Sequence, residues 1–422
     1  MADSASLHEE SQPEPAPAAT SSPSQSQSQS QSLSQSPPVS PSSPEQPPLV
    51  LVTGGTGFLA KWVLTTLLLS ATPYRIRTTL RTLSRIDEIK SSLREASIPP
   101  AKIASIEFLP ADLSSNDGWT TALKDVDYVQ HIASPFPAHP PKDEYDLIIP
   151  AVEGTKRVLR AAKDAGVRRV VLTSSFAAIA YGARHIGRDS SVPITEDDWT
   201  DLSKPRLVPA YAKSKTLAER AAWGIAEGAD TSSSHFGGSE AGSRGSAGNK
   251  MELVVINPVN IYGPALGRED STTFRSISEF LEGNAPGIPR VQFGVVDVRD
   301  CAALHVLAMT HAAAAGERFI CIGAGGSLWM EEMAKLLKGK LGERARKVPG
   351  LVLPDVLVRG VAVFMPVARL LLADLGIARV ISGEKARTVL GWETRYSNEE
   401  AVVAAAESIL RFNTPPTETA AS

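Results

Sequence analysis

The alternation of apolar and polar positions first becomes regular at Leu49. Residues 49–52 are an unbroken apolar run, the pattern of a strand buried on both faces. From 58 to 69 the apolar residues recur at helical spacing. Strand-like and helix-like stretches then take turns. Strands are predicted at 75–80, 106–109, 127–132 and 169–172, and helices at 85–96 and 145–165, the latter closed by Gly166. This order predicts an α/β fold, a doubly wound parallel sheet of Rossmann type with right-handed crossovers. In such a sheet ligands bind beyond the C-terminal strand ends.

Further on, the pattern predicts a helix over 209–227, a strand at 253–256 and a loop over 257–267 that holds two prolines and two glycines. A helix at 274–282, a short strand at 295–298 and a helix over 301–312, N-capped by Asp300, follow. The most apolar stretch, 351–375, is interrupted by Asp355, Arg359, Pro366, Arg369 and Asp374. It therefore reads as amphipathic helices packed on the domain rather than a membrane span. Residues 1–48 are mostly Ser, Gln, Pro and Ala, with no basic residue before Lys61, and cannot bury enough apolar surface to offset their ordering entropy. They are expected to be a disordered tail. The Gly/Ser-rich 228–250 is expected to be a flexible insertion and 413–422 a frayed end. The chain thus divides into the tail 1–48, a dinucleotide-binding domain 49–257, a smaller, mainly substrate-binding C-terminal lobe 258–412, and the end 413–422.

Composition narrows the partners. With 42% hydrophobic residues over 422 positions the chain can bury one large or two modest cores. A net charge of -3 without a basic stripe argues against nucleic acid. The two cysteines, Cys301 and Cys321, suit a reducing compartment and buried apolar roles, not a disulfide framework. The N-terminus has no apolar signal core, and Glu9, Glu10 and Glu14 argue against a transit peptide, so a cytoplasmic location is expected. Neither a membrane nor a metal is an expected partner.

Three places carry chemistry. After the first strand, Thr53–Gly57 forms a glycine turn that opens a helix, the setting a dinucleotide fingerprint requires. Gly54 allows the sharp turn, Gly57 the approach of a pyrophosphate, and Ala60 close packing of helix on sheet. The helix N-terminus would hold the anion. The second place is Tyr211 and Lys215, whose spacing puts them on one helix face. An isolated phenol ionises near pH ~10 and serves poorly at neutral pH, and an adjacent ammonium favours its phenolate. The third is the strand end Ser174-Ser175, which presents a hydroxyl that can hold a substrate carbonyl. The surrounding residues lack the Gly-x-Ser-x-Gly elbow of a serine hydrolase. Between the glycine turn and Asp87 no acid is available for a free 2′-hydroxyl, whereas Arg75, Arg77 and Arg81 are present, which favours NADPH over NADH.

Together VTGGTGFLA (52–60), ADL (111–113), DVDYVQHIASPFP (125–137), PAVEGTKRVLRAA (150–162), VVLTSS (170–175), YAKSKTLAERAAW (211–223), NPVNIYGP (257–264) and FGVVDVRDCAALHVLAM (293–309) resemble an extended short-chain dehydrogenase/reductase. The similarity is greatest to the dihydroflavonol reductase-like group, which includes cinnamoyl-CoA reductases and fungal aldehyde and methylglyoxal reductases. It runs over nearly all of 49–412. The resemblance implies an NADPH-dependent carbonyl reductase acting on an aldehyde or ketone, a small-molecule carbonyl substrate. It implies that Gly54, Gly57 and Phe58 contact the pyrophosphate, Arg81 the 2′-phosphate, Asp112 and Leu113 the adenine, and Ala133 and Ser134 the region beside the ribose. Tyr211 would donate the proton. Lys215 would bind the nicotinamide ribose and tune Tyr211, and Pro258 would press on the nicotinamide. Its register favours Ser175 over Ser174 as the catalytic serine. His131 matches a family position but is expected to be a structural strand-end histidine, and the pair Asp297–Arg299 is expected to be structural too; the resemblance implies a monomer, with a dimer as the alternative. Two rival functions fit the same outline: a nucleotide-sugar epimerase or dehydratase, and a cofactor-sensing protein without turnover. The apolar C-terminal lobe disfavours the first, and the presence of both Tyr211 and Lys215 disfavours the second.

Overall fold

Leu49 and Leu51 join one apolar cluster and Val50 and Val52 another, so the first strand buries both of its faces. That is why its sequence is continuously apolar rather than alternating. The computed structural model describes residues 46–135, 143–185, 188–189, 191–228, 250–269, 271–284, 286–363 and 371–412. The expectations for nearly all of the tail, for the 228–250 insertion and for 413–422 fall outside them.

In chain order the elements are β1 (Leu49–Val52), α1 (Phe58–Leu69), β2 (Arg75–Leu80), α2 (Ile86–Glu95), α3 (Pro100–Ala104), β3 (Glu107–Pro110), α4 (Trp119–Leu123), β4 (Tyr128–His131), α5 (Tyr145–Asp164), β5 (Arg169–Thr173), α6 (Ala210–Glu227) and β6 (Glu252–Pro258). They continue with β7 (Asn260–Tyr262), α7 (Thr272–Glu282), β8 (Gln292–Asp297), α8 (Val298–Thr310), β9 (Arg318–Cys321), β10 (Ser327–Trp329), α9 (Met330–Leu341), α10 (Asp355–Val361), α11 (Glu384–Leu390) and α12 (Asn398–Phe412).

Seven parallel strands form the main sheet in the order β3-β2-β1-β4-β5-β6-β9. The strand order reverses between β1 and β4, and this switch point opens a crevice at the C-terminal edge. Helices α1 and α8 pack together on one face, and α5 and α6 on the other. The buried positions of α5 and α6 are mostly small, among them Ala151, Gly154 and Ala161 on α5 and Ala212, Ala218 and Ala222 on α6. Small residues let two helices approach closely. Lys213 pairs with Glu144 near one end of this contact, and Lys163 Nζ donates to Ile225 O at 3.2 Å near the other.

Two buried arginines fasten helix ends to the sheet in the same way. Arg77 pairs with Glu107, its register partner on the next strand, and caps carbonyls at the end of α4. Arg169 pairs with its register partner Glu252 and caps Ala308, Met309 and His311 carbonyls at the end of α8. Each cation satisfies carbonyls that the helix itself leaves unpaired.

The chain beyond Pro258 contributes to both layers. It returns β9 to the main sheet, while β10, β8 and β7 build a separate three-stranded sheet. Two expectations are corrected here. The loop predicted over 257–267 begins inside β6, because Asn257 and Pro258 pair with Ile320 and Cys321 on a strand the local pattern does not reveal, and it contains β7, whose residues pair with Val295, Val296 and Asp297 of β8. Asp300 does not cap α8. The helix starts at Val298, and the Asp297 carboxylate accepts from Arg299 N at 2.8 Å while also holding the Arg299 guanidinium. Asp300 is buried and accepts from Arg395 N and Tyr396 N, fastening the chain before α12 to α8. In 351–375, α10 is formed, and its Val358 packs with Val291 and Leu375. Among the described residues no helix is long and apolar enough to cross a membrane. Both cysteines are free and fully buried.

Candidate active site

The glycine turn closes the crevice from the β1 side. Gly54 has φ +71°, and a Cβ there would lie 2.9 Å from Ala133 Cβ. The turn therefore seats directly against the end of β4. Gly55, to which the sequence pattern assigns no role, is as tightly constrained: its Cβ would meet Thr78 Oγ1 at 2.4 Å. Gly57 is the exposed N-cap of α1, with no side-chain cap and no acid in the first turn. The helix thus offers its positive end and uncapped donors to an anion. Phe58 is buried edge-on against Phe274, 5.0 Å between centroids, which leaves its backbone as the part that serves this end.

Thr53 ties β1 to β4 at the floor of the crevice. Its Oγ1 accepts from Ile132 N at 3.1 Å and Ala133 N at 3.0 Å. The hydroxyl proton then goes to His131 Nδ1, 3.0 Å away, which fixes His131 as the Nε2–H tautomer. Burial, assisted by the Lys215 charge, lowers the His131 pKa to about 3. The unfolded chain takes up this proton near pH ~6.5 whereas the native state refuses it, so stability falls as pH drops from about 6.5 towards 3. The expected slope from this group is ~1.4 kcal/mol per pH unit. Urea unfolding midpoints between pH 6 and 4 check it against His131→Gln, which should flatten the dependence; equal slopes would exclude His131 as the source.

Just beyond β3, Asp112 accepts from Ser114 N and Oγ, both at 2.8 Å. The Ser114 backbone bond is the main reason its carboxyl lies below its ordinary pKa, with Arg81 and Arg157 contributing. Leu113 lies under Gly154, and Arg157 donates to Leu113 O. Arg81 follows β2 and is exposed. Arg77 is committed to Glu107 and α4, and Arg75 to Pro47 O at 3.0 Å, so of the three arginines Arg81 is the one beside Asp112.

The catalytic candidates come from α6, β5 and β6. Tyr211 and Lys215 share a face of α6, with Lys215 Nζ 6.0 Å from the Tyr211 ring centroid and 3.1 Å from Ser134 Oγ. Tyr211 is 39% exposed, open enough to meet a ligand. The two serines differ sharply. Ser174 is buried and donates to Glu219 Oε2 at 2.5 Å. Ser175 is half-buried, and its Oγ accepts from Ala177 N at 3.1 Å, which leaves its hydroxyl proton available. Pro258 ends β6 beside Cys321 of β9. Tyr181, within electrostatic reach of Tyr211, donates to Asp374, which Arg379 holds at 2.6 Å. Burial, then the Asp374 charge, pushes the Tyr181 phenol well above its ordinary range, so it stays protonated. Ala133, Ser134, Ser174, Lys215 and Glu219 line one hollow at this sheet edge, with Gly54 against Ala133, Tyr211 one helical turn before Lys215, and Arg81 beside Asp112; Ser175 is the next residue along from Ser174 and is not part of that lining. Residues 136–142, which follow Ser134 and Pro135, lie outside the described residues. Among the described residues no cluster of His, Cys, Asp or Glu is arranged for a metal ion.

Sheet order, switch point and glycine turn define a Rossmann-type, doubly wound protein. Residues 50–323 match the NAD dependent epimerase/dehydratase family, and the chain belongs to it. It is 34% identical over 296 residues to tetraketide alpha-pyrone reductase 2 of Arabidopsis thaliana, covering 69% of this chain and 82% of that one. It is 32% identical over 273 residues to cinnamoyl-CoA reductase CAD2 of Medicago truncatula, covering 64% and 74%. Among solved structures, Gre2 of Candida albicans in complex with NADPH superposes with a TM-score of 0.66 at 27% identity, covering 87% of this chain and 100% of that chain.

Proposed function

We propose that the protein is an NADPH-dependent carbonyl reductase acting on a small aldehyde or ketone. The observation that carries this reading is the delivery of a phenol and an ammonium, Tyr211 and Lys215, by one face of α6 to the crevice beside Ser134. Similarity to two reductases and to an NADPH-bound structure supports it. The crevice suits the cofactor chemically: Gly57 at the uncapped end of α1 for the pyrophosphate, Gly54 seated against Ala133 with no side chain between them, and Arg81 for the 2′-phosphate.

When bound, the cofactor supplies the hydride. Tyr211 Oη gives a proton to the carbonyl oxygen, and Ser175 Oγ donates a hydrogen bond to that same oxygen. Lys215 Nζ holds the ribose side of the crevice with Ser134 and keeps a positive charge beside the phenol. Alcohol oxidation uses the same groups in reverse. The lobe after Pro258 supplies the apolar side of the substrate pocket, and the protein works in the cytoplasm. Oxidation of NADPH against a panel of aldehydes, ketones, flavanonols and acyl-CoA thioesters tests the reading; cofactor binding without turnover on any of them would overturn it.

The cofactor assignment has its own test. Arg81→Ala should raise KM for NADPH about 10- to 100-fold, the equivalent of losing a charged hydrogen bond. KM for NADH should stay nearly constant, because a free 2′-hydroxyl has no charge for Arg81 to meet. Equal changes for both cofactors would remove Arg81 from this role.

A further inference from the structure

Tyr211, Lys215 and Glu219 are spaced by one helical turn each and lie on one face of α6. Glu219 is buried and carries no part of the chemistry just described. Its carboxylate nevertheless collects donors from three strands. Oε2 accepts from Ser174 Oγ at 2.5 Å and from Asn257 Nδ2 at 2.8 Å. Oε1 accepts from Arg318 Nε at 2.6 Å and, more weakly, from Trp223 Nε1 at 3.5 Å. Ser174 follows β5, Asn257 lies near the end of β6, and Arg318 opens β9. Asn257 Nδ2 also donates to the Ser175 carbonyl at 3.1 Å. A continuous buried path therefore runs from the helix of Tyr211, through Glu219 and Asn257, to the backbone of Ser175.

The path is polar where stability alone would favour apolar packing. Burying an ion pair often stabilises no more than apolar residues of similar volume. Here the arrangement even leaves Asn257 Oδ1 and Arg318 Nη2 buried without a partner among the described residues. Arg318 is itself fixed, by the Glu196 carbonyl at 2.8 Å, the Asp198 carbonyl at 3.1 Å and the Trp199 ring at 3.8 Å. Glu219 is thus held to a fixed point in the sheet, and whatever it holds is fixed in turn.

We infer that Glu219 is a positioning residue: through Asn257 it sets the Ser175 hydroxyl against Tyr211, so that both meet one carbonyl oxygen. The inference rests on the reading of Ser175 and Tyr211 given above. Its action is on geometry, and displacements of about 1 Å in such groups lower rates ~10²-fold.

A double-mutant cycle tests it. Glu219→Gln should lower kcat about 10- to 100-fold with NADPH affinity, read by fluorescence, nearly unchanged. In a Ser175→Ala background the same substitution should have little further effect, because the hydroxyl it positions is gone. If Glu219→Gln leaves kcat intact, or if its loss is undiminished in the Ser175→Ala background, Glu219 is only structural and the inference fails. If Ser175→Ala alone turns over at the wild-type rate, the assignment of Ser175 fails, and this inference with it. Should Glu219→Gln not fold, Asn257→Ala cuts the same path while keeping the Glu219–Arg318 pair. The same cycle with Asn257→Ala then supports or overturns the inference on the same outcomes.

Discussion

Tyr211→Phe should slow turnover about 10²–10⁴-fold and leave NADPH binding nearly intact. Only the hydroxyl is removed, and the residue is partly exposed at the start of α6, so the helix packing against α5 survives. General acid–base assistance contributes about 10²–10⁴ in rate, and that is the expected loss. Lys215→Ala is the informative contrast. Its ammonium bonds Ser134 at 3.1 Å beside the switch point and also stands over the Tyr211 ring. Its removal should therefore weaken cofactor affinity as well as slow the reaction. Single-turnover reduction at saturating NADPH, with affinity taken from fluorescence quenching, separates the two. A Tyr211→Phe protein with wild-type turnover would sink the mechanism. One that no longer bound NADPH would move Tyr211 into the cofactor site and leave the proton donor unassigned.

What is legible in the sequence follows the range of the interactions involved. The apolar run 49–52, the glycine turn and the Tyr211–Lys215 spacing are local, and each lies in the structure where its pattern places it. Long-range pairings are not legible. Nothing near Asn257 or Pro258 announces a partner strand far along the chain, so the local pattern ends β6 early; β7 reads as a loop because its three residues form a strand only by pairing with β8. Asp300 follows the pattern of an N-cap, but Asp297 captures both Arg299 N and its guanidinium, while Asp300 is drawn to the backbone before α12. The arginines of the β2 region are indistinguishable as text. Arg77 is claimed by a register partner, Glu107, and by α4 carbonyls, all contributed by later chain. Gly55 can be recognised only with Thr78 in place beside it. Glu219 carries one available signal, its position two turns after Tyr211 on the same face, yet its meaning depends on Asn257 and Arg318 from strands unrelated in sequence.

Ser175→Ala should slow reduction about 10²–10³-fold, the loss typical of one donor aimed at a developing oxyanion. Ser174→Ala should slow it by less than about tenfold and act mainly on stability, by ~1.5–3 kcal/mol, the worth of a hydrogen bond to a charged group. The residues are adjacent, so the difference lies in where each hydroxyl proton goes. Ser174 lines the hollow beside Ser134 and Lys215 but spends its proton on the buried Glu219 Oε2 at 2.5 Å. Ser175 receives the Ala177 N–H at 3.1 Å, capping the short turn that follows β5, and keeps its own proton to give. Losing Ser174 leaves Glu219 still held by Asn257 and Arg318, so the path to Ser175 persists. Losing Ser175 removes the donor itself and little packing. Single-turnover rates with urea midpoints on both variants decide the matter. A slower Ser174→Ala protein, folded and with Ser175→Ala near wild type, would reverse the assignment and require the Ser174–Glu219 bond to break when substrate binds.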